Sequence, residues 1–560
     1  MCKKEIQILS SCHLSCVPNW GLTFYRISFP LILLTFPDFT SSPPRLSYNY
    51  FMAGRSIIII GAGMGGLAAG IYARMNGYET RIFEMHSKPG GQCAGWKRKE
   101  YIFDGCIHDL FGCSPHSKIY DLWQELGAMP REMVRTDECT SVLSPEGKLF
   151  YDYYDPGRLE QHLNGLCRGD QKAIRDYIRG IEAFSGRDAW GDSIMGSKGG
   201  VLRTAKNILP MLPWIRPTMQ EFGQKFSDPF LRRAFPFLLY NTPEISVMIH
   251  LIRHGYGLNN AIQWPIGGSR EFARSLERKY RDLGGEVLYK SRVEKILVEH
   301  DAAKGIRLAD GTEHRADLVI SNADGRKTIM EMLGNNYTNE RIRQYCGEPP
   351  DEMNFGVHVF LGANRDLSRE PSNLVMLLDA PVVIAGHEQH SIAMQMYGCD
   401  RTMAPAGKGV IKVELFSRYS FWKELYADRE RYAEEKQKIA SQVIGILERQ
   451  YFSGLASQVE VIDVPTIITW ERYMGGTHGF ANLPNKKMSL LGSLFRKEEM
   501  TLPRLSGFSM VGQWVSSATA LFMNALSGRK AIQAICERDG KSLKLPAASC
   551  RESSILREDC

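Results

Sequence analysis

The run SIIIIGAGMGGLAAGIYARMNGYETRIFEMHSKPGG, residues 56–91, narrows the possible folds more than any other part of the chain. A β-branched strand, Ser56–Ile60, leads into Gly61-x-Gly63-x-x-Gly66, and Leu67, Ile71 and Met75 recur behind it at helical spacing. The order is strand, glycines, helix. Gly61 permits a tight turn, Gly63 removes a side chain that would hold a pyrophosphate away, and Gly66 lets helix and strand pack closely. Backbone N–H groups at the helix start can then face phosphates. Ala62 and Gly65 belong to the same loop. Asn76-Gly77 ends the helix by the left-handed route that glycine allows. A second strand, residues 79–84, finishes on Glu84, a carboxylate where a ribose 2′-hydroxyl needs an acceptor. No Arg directly follows Glu84, which favours a free 2′-hydroxyl and argues against NADP. Three glycines alone are a weak signal, compatible with a βαβ unit that binds nothing. Strand, helix, cap and terminal acid together predict a dinucleotide site.

At 560 residues the chain exceeds one ordinary core, so two or three packing units are expected, with room for a large cofactor. A net charge of +7 without aromatic-basic motifs gives no reason to expect nucleic acid. The 13 cysteines are scattered without CxxC or zinc spacing, so neither a disulfide framework nor a metal site is expected. Residues 1–51 differ from the rest. Their apolar stretch, residues 21–36, is broken by Arg26 and Pro30 and is too short to span a bilayer. It reads either as a poor signal segment or as an extension ahead of a natural start at Met52, and we favour the second because such folds begin at the glycine-loop strand.

After the opening unit, Pro89-Gly90-Gly91-Gln92 predicts a second close backbone approach. Helical spacing dominates residues 117–254, with Ile119, Leu122, Trp123 and Leu126 as one stripe. Within it LRTAKNILPMLPWIRP, residues 202–217, sets apolar residues and Trp214 among Arg203, Lys206 and Arg216. That pattern suits either a membrane surface or a proline-broken cluster of core helices. From Gly284 short strands take over, with Asp310-Gly311 as a hairpin turn and the last run ending at Ser321-Asn322-Ala323-Asp324. Strands are predicted again at 357–361 and 409–416, a helix over 432–451, and a strand entering a turn at 507–512. Ser527-Gly528-Arg529 reads as the start of a closing helix over 530–537, and the tail from Lys541 as mobile.

With these residues in view, the chain resembles the phytoene desaturase-like flavoproteins, a group that includes carotenoid isomerases and retinol saturases. Four segments carry the similarity in the family's order, from Ser56 to about Cys536: IIIIGAGMGGLAAGIYARMNGYETRIFE with its trailing PGG, WPIGGSREFARSLERKYRDLGGEVLYKSRVEKILVE, GIRLADGTEHRADLVISNAD, and GFSMVGQWVSSATALFMNALSGRKAIQAI. The resemblance implies an α/β fold: a Rossmann-like FAD-binding domain built from discontinuous segments, a mixed-sheet substrate domain and a helical cap. FAD-binding parts are expected at 52–116, 265–335 and 501–540, the cap at 117–264, the substrate sheet at 336–500 and a flexible tail at 541–560. It further implies extended FAD, with Gly61, Ala62, Gly63, Gly65 and Gly66 as pyrophosphate loop and Glu84 as ribose acceptor. Gly90, Gly91 and Gln92 form the second approach, the Val293 backbone meets adenine, and Gly512 and Gln513 pass the pyrophosphate and flavin ring. Trp264-Pro265-Ile266-Gly267-Gly268 resembles the family's xxPxGG stretch near the substrate channel. Two departures stand out: residues 515–523, VSSATALFM, replace a loop usually rich in glycine and proline, and Gln92 stands where Arg is common.

A single dinucleotide fingerprint means that electrons must pass through one flavin face or to an outside partner, so substrate, oxygen or a quinone is expected in that role. Candidates for proton handling are His108, which follows the paired glycines, and Tyr473 and His478 in WERYMGGTHG, a region lining the substrate side in this family. Each has a plainer alternative as a packing or hydrogen-bonding residue. Cys93, Cys106 and Cys113 read as structural. The resemblance and the apolar central region imply an FAD-dependent desaturase, saturase or isomerase acting on a carbon–carbon bond of a long isoprenoid or carotenoid-like molecule, in the cytoplasm or at a membrane surface. Two alternatives stay open. One is an amine oxidase-like flavoenzyme with an aromatic cage drawn from Trp514, Phe522 and Tyr473. The other is a non-catalytic lipid-binding protein of the GDP-dissociation-inhibitor type, sharing the architecture without redox chemistry.

Overall fold

Ile57 and Ile59 leave the opening strand on one side and Ile58 and Ile60 on the other, and all four are buried. Such a strand must be covered on both faces, as in parallel sheets. The computed structural model describes residues 55–195, 209–346, 353–476, 500–515 and 520–546, all within one unit, Gly54–Cys560. Ser56–Ile60 lies at the centre of a five-stranded parallel sheet ordered Glu286–Leu288, Glu79–Phe83, Ser56–Ile60, Leu318–Ser321, Phe508–Met510. Helices Met64–Met75, Gly268–Asp282 and Leu521–Arg538 join the cluster on the Ile57/Ile59 face. The antiparallel strands Val293–Glu299, Ala302–Leu308 and Glu313–Arg315 pack on the Ile58/Ile60 face. Three distant stretches of chain thus build the nucleotide-binding sheet, as expected for a discontinuous Rossmann-like domain. The turn at Asp310-Gly311 also forms where predicted, with Gly311 at φ +87°.

A second sheet of seven strands is ordered Val459–Asp463, Met353–Ala363, Gly409–Arg418, His387–Met396, Asn373–Ile384, Glu138–Leu143, Leu149–Tyr153. It is mixed, because Asn373–Ile384 runs parallel to Glu138–Leu143 and the other pairs are antiparallel. The hairpin 138–153 stands inside the region, 117–254, where helical spacing dominates, and adds two strands to the cap expected at 117–264. The period-two pattern of Leu149–Tyr153 and the turn at Gly147, φ +84°, are overshadowed by the helical stripe of Lys118–Glu125 that precedes the hairpin.

Two further expectations change. Ser527-Gly528 lies inside the closing helix, which spans Leu521–Arg538, because Gly528 is where that helix crosses the glycine-loop helix. A β-carbon on Gly528 would meet Gly65 O at 2.6 Å and Ala69 N at 2.7 Å. The start of the tail is also held: the Asn76 side chain accepts from Lys544 N at 2.7 Å and donates to Lys544 O at 3.1 Å. Residues 1–51, 202–208, 516–519, His478 and 547–560 fall outside the described residues. Of the Trp-bearing stretch, Leu209–Trp214 forms a short 3-10 turn with Leu209 68% and Leu212 45% exposed and Met211 buried. Among the described residues no helix is long and apolar enough to cross a membrane.

Candidate functional site: a cavity running from the glycine loop

The loop after Ser56–Ile60 is held by contacts that only small residues permit. Gly66 sits so close to the Gly61 carbonyl that any β-carbon would overlap it, and so it packs behind the loop instead of facing a ligand. Ala62 N–H donates to Glu84 Oε2 at 2.7 Å, and His86 N–H donates to Glu84 Oε1 at 2.9 Å. The buried Glu84 carboxylate therefore fixes the loop from behind while keeping acceptor capacity, since each oxygen has a second lone pair. In front of the loop, β-carbons on Gly63, Gly65 and Gly512 would each approach the Asn322 side chain, at 2.5, 2.6 and 2.5 Å. The three glycines and Asn322 form a cradle whose open side consists of backbone.

This cradle is one wall of a cavity of about 850 Å³, within the usual range for small-molecule sites. Gly61, Gly63, Gly65, Glu84, Gly90, Gly91, Gln92, Val293, Gly512 and Gln513 all line it, whereas Ala62 and Gly66 lie behind the wall. The buried Gln513 Oε1 and Asn524 Oδ1 have no hydrogen-bond partner although both residues line the cavity. Orphaned acceptors of this kind fit a polar ligand that brings its own donors. Toward its other end the cavity becomes apolar, with Phe111, Trp190, Leu239, Ile249, Phe522 and Met523 in its wall. Phe522 packs on Trp190 and Phe111 with ring centroids 5.6 and 6.1 Å apart.

Two polar groupings face this end. His108 Nε2 lies 3.2 Å from Glu414 Oε1, and the fully buried Lys412 Nζ lies 2.8 Å from the same oxygen. Burial alone would raise the Glu414 carboxyl; the charges of His108 and Lys412 override it and hold the group well below the usual carboxylate range. The second grouping is Arg253, whose Nε donates to Asp109 Oδ2 at 2.9 Å and whose guanidinium lies 5.0 Å from the Tyr240 ring centroid. Among the described residues each cation at this end has an anion, so none of them offers a free charge to clamp a charged substrate.

Tyr473 lines the cavity; its ring stacks on His86 at 4.3 Å and its carbonyl meets His86 Nε2, beside the Glu84 loop. Helix Ile467–Met474 carries it there. Cys93 and Cys106 line the cavity. A hydrogen bond with Cys106, together with burial, pushes the Cys93 thiol well up, and burial raises Cys113 to about 12; neither is poised as a nucleophile. Asn322, Glu414 and the Asp109–Arg253 pair were not anticipated. Asn322 carried a readable signal: it follows a strand end beside the glycine loop, where parallel sheets bind ligands.

Comparison with known proteins agrees with this geometry. Residues 59–126 match the model of the NAD(P)-binding Rossmann-like domain. The prolycopene isomerase of Arabidopsis thaliana is 26% identical over 75% of this chain and 73% of its own. The neurosporene-forming phytoene desaturase of Rhodobacter capsulatus is 26% identical over 53% of this chain and 58% of its own. Among solved structures, an oxidoreductase from Methanosarcina mazei superposes with a TM-score of 0.54 at 20% identity, covering 85% of this chain and all of that one. A putrescine oxidase superposes with a TM-score of 0.55 at 12% identity, covering 87% and 99%; at such identities these two speak to fold alone. With a nucleotide-binding sheet assembled from the predicted segments, the chain is similar along most of its length to carotenoid isomerases and, over about half of it, to phytoene desaturases.

Proposed function

We propose that the protein is an FAD-dependent oxidoreductase that desaturates, saturates or isomerises a carbon–carbon bond in a long isoprenoid or carotenoid-like polyene. The observation that carries this reading is one cavity joining a glycine-and-backbone cradle to an apolar end where the described residues leave no charge unpaired. Gly61, Gly63, Gly65 and Gly512 would hold the pyrophosphate, Glu84 the ribose and Val293 the adenine, with Gly90, Gly91, Gln92 and Gln513 beside the ring. Bound there, a flavin supplies hydride exchange with carbon. The chain's own residues do the rest. Phe111, Trp190 and Phe522 exclude water and align an extended apolar molecule, and His108, oriented by Glu414, holds or moves a proton at Nε2. Oxygen or a quinone would be the outside electron partner. The exposed Leu209 and Leu212 offer a point of membrane contact; they belong to the turn that ends at Trp214, whose carbonyl accepts from the Ser246 hydroxyl that caps the cavity-lining helix Val247–Leu258.

The test is the visible spectrum of the purified protein, followed by anaerobic reduction and addition of phytoene or retinol. A flavin band perturbed by the polyene supports the reading, and the redox state that responds gives the direction. A flavin that responds to amines and ignores polyenes would shift the assignment to C–N oxidation. Protein that takes up no flavin after incubation with FAD would instead be a lipid-binding member of the fold.

A further inference from the structure

Helix Val247–Leu258 has two working faces. Ile249 and Arg253 line the cavity. His250 and His254, one turn apart, turn instead toward the hairpin that joins the seven-stranded sheet, where Cys139 and Asp152 meet them. All four side chains are fully buried, and their donor atoms lie within 4.8 Å of one another. His250 Nε2 and His254 Nε2 converge on a single carboxylate oxygen, Asp152 Oδ2, at 3.1 and 2.9 Å. Tyr177 donates to the other oxygen, Oδ1, at 2.7 Å, and its hydroxyl lies 2.8 and 3.0 Å from the two imidazole nitrogens.

We propose that Cys139, Asp152, His250 and His254 form a binding site for one divalent transition-metal cation, zinc by preference, that ties this helix to the hairpin behind the cavity. Three features support the assignment. First, the donor set of two imidazoles, one thiolate and one carboxylate suits tetrahedral zinc, whose bonds of about 2.0–2.3 Å set neighbouring donors about 3.3 Å or slightly more apart. The Nε2–Oδ2 separations need widen by only a few tenths of an ångström, while the thiol is drawn inward. Second, charge closes. A thiolate and a carboxylate neutralise a dication in a fully buried place, and the adjacent Arg253–Asp109 pair is already neutral. Third, both imidazoles, one turn apart on the same helix, already turn Nε2 to the same centre, so neither ring has to rotate to ligate a cation there.

Binding converts the Cys139 thiol to thiolate, and the displaced proton passes to solvent. The cation would then clamp the helix whose neighbouring face holds Ile249 and Arg253, with Arg253 Nη1 also bonded to Thr140 Oγ1 at 3.2 Å, next to Cys139. The site is structural, and its proposed role is to hold the inner wall of the cavity in place. This holds whatever the cavity binds.

The test uses the full chain without a histidine tag. Elemental analysis after incubation with zinc chloride and dialysis should give close to one zinc per chain, and zinc-edge X-ray absorption should read one sulfur and three nitrogen or oxygen neighbours. Cobalt substitution should add tetrahedral visible bands and a thiolate charge-transfer band. Cys139→Ser should abolish the charge-transfer band, and His254→Gln should weaken zinc affinity about 10-fold or more. Substoichiometric zinc with no cobalt spectrum in the wild type would overturn the proposal and leave the cluster a hydrogen-bonded knot. Unchanged cobalt charge transfer in Cys139→Ser would overturn the ligand assignment. Because the wild-type absorption spectra count sulfur directly, the proposal stays testable even if a variant fails to fold.

Discussion

A methyl group at Gly65 would meet Asn322 Oδ1 at 2.6 Å and Gly512 N at 2.9 Å, and Gly512 belongs to a segment that cannot retreat without moving the strand before it. Gly65→Ala is therefore expected to weaken flavin retention about tenfold or more, about 1.4 kcal/mol, while far-ultraviolet circular dichroism stays unchanged. Full flavin occupancy in that variant would show that the pyrophosphate lies elsewhere. His108→Gln should keep its flavin and slow the half-reaction with polyene by about 100-fold, as read by stopped-flow. The partner of His108 was not legible. Lys412 and Glu414 alternate with Ile411, Val413 and Leu415 along one strand, a pattern that normally means a solvated face; here that face is covered and the charges pair internally. Glu414→Gln would leave Lys412 buried without its anion, at a cost of about 3 kcal/mol, and adding Lys412→Met should recover much of the lost denaturation midpoint.

Between elements, the contact that matters most to the site is the crossing of the glycine-loop helix and the closing helix. Gly528→Ala would press a methyl into backbone, and a loss of about 1–3 kcal/mol is expected in chemical denaturation; an unchanged midpoint would mean that the helices can slide apart freely. Asp170 joins other elements. It precedes helix Gln171–Phe184 and accepts from Ser227 N and Asp228 N at 2.7 and 2.8 Å, ahead of helix Pro229–Ala234. Burial would raise its carboxyl, but a bond from the Ser227 hydroxyl together with these backbone bonds holds it at about 2. A lowered value means that its stabilisation is complete above the ordinary pKa near 4 and is lost as pH falls toward 2. Asp170→Asn should thus be less stable than wild type at neutral pH and converge on it in acid, which denaturation series at several pH values would check. The opening unit could be read from residues alone because its turn chemistry is local. The hairpin of Asn373–Ile384 and His387–Met396 could not, because its turn places Ala385 and Gly386 at φ +55° and +71°, and Ala-Gly carries none of the Asn-Gly or Asp-Gly signal that marks such turns.

Across the whole molecule, the cavity draws its walls from the first, middle and last parts of the described chain. That dispersal explains why its outline was anticipated mainly through family resemblance: motifs announce backbone turns, while the neighbours of His108, Tyr473 and Asn322 are set by sheets that pair residues hundreds of positions apart. The order of the parallel sheet also has a bearing on biosynthesis. Its last strand, Phe508–Met510, enters beside Leu318–Ser321 and carries Gly512 to the glycine loop, some 450 residues after Ser56–Ile60. At translation rates of about 5–20 residues per second, roughly 20–90 s separate the first strand from the one that completes the cradle. A nascent chain thus exposes its apolar cavity for that interval before anything can fill it, and a chain stopped at residue 500 should bind no flavin on the ribosome or off it.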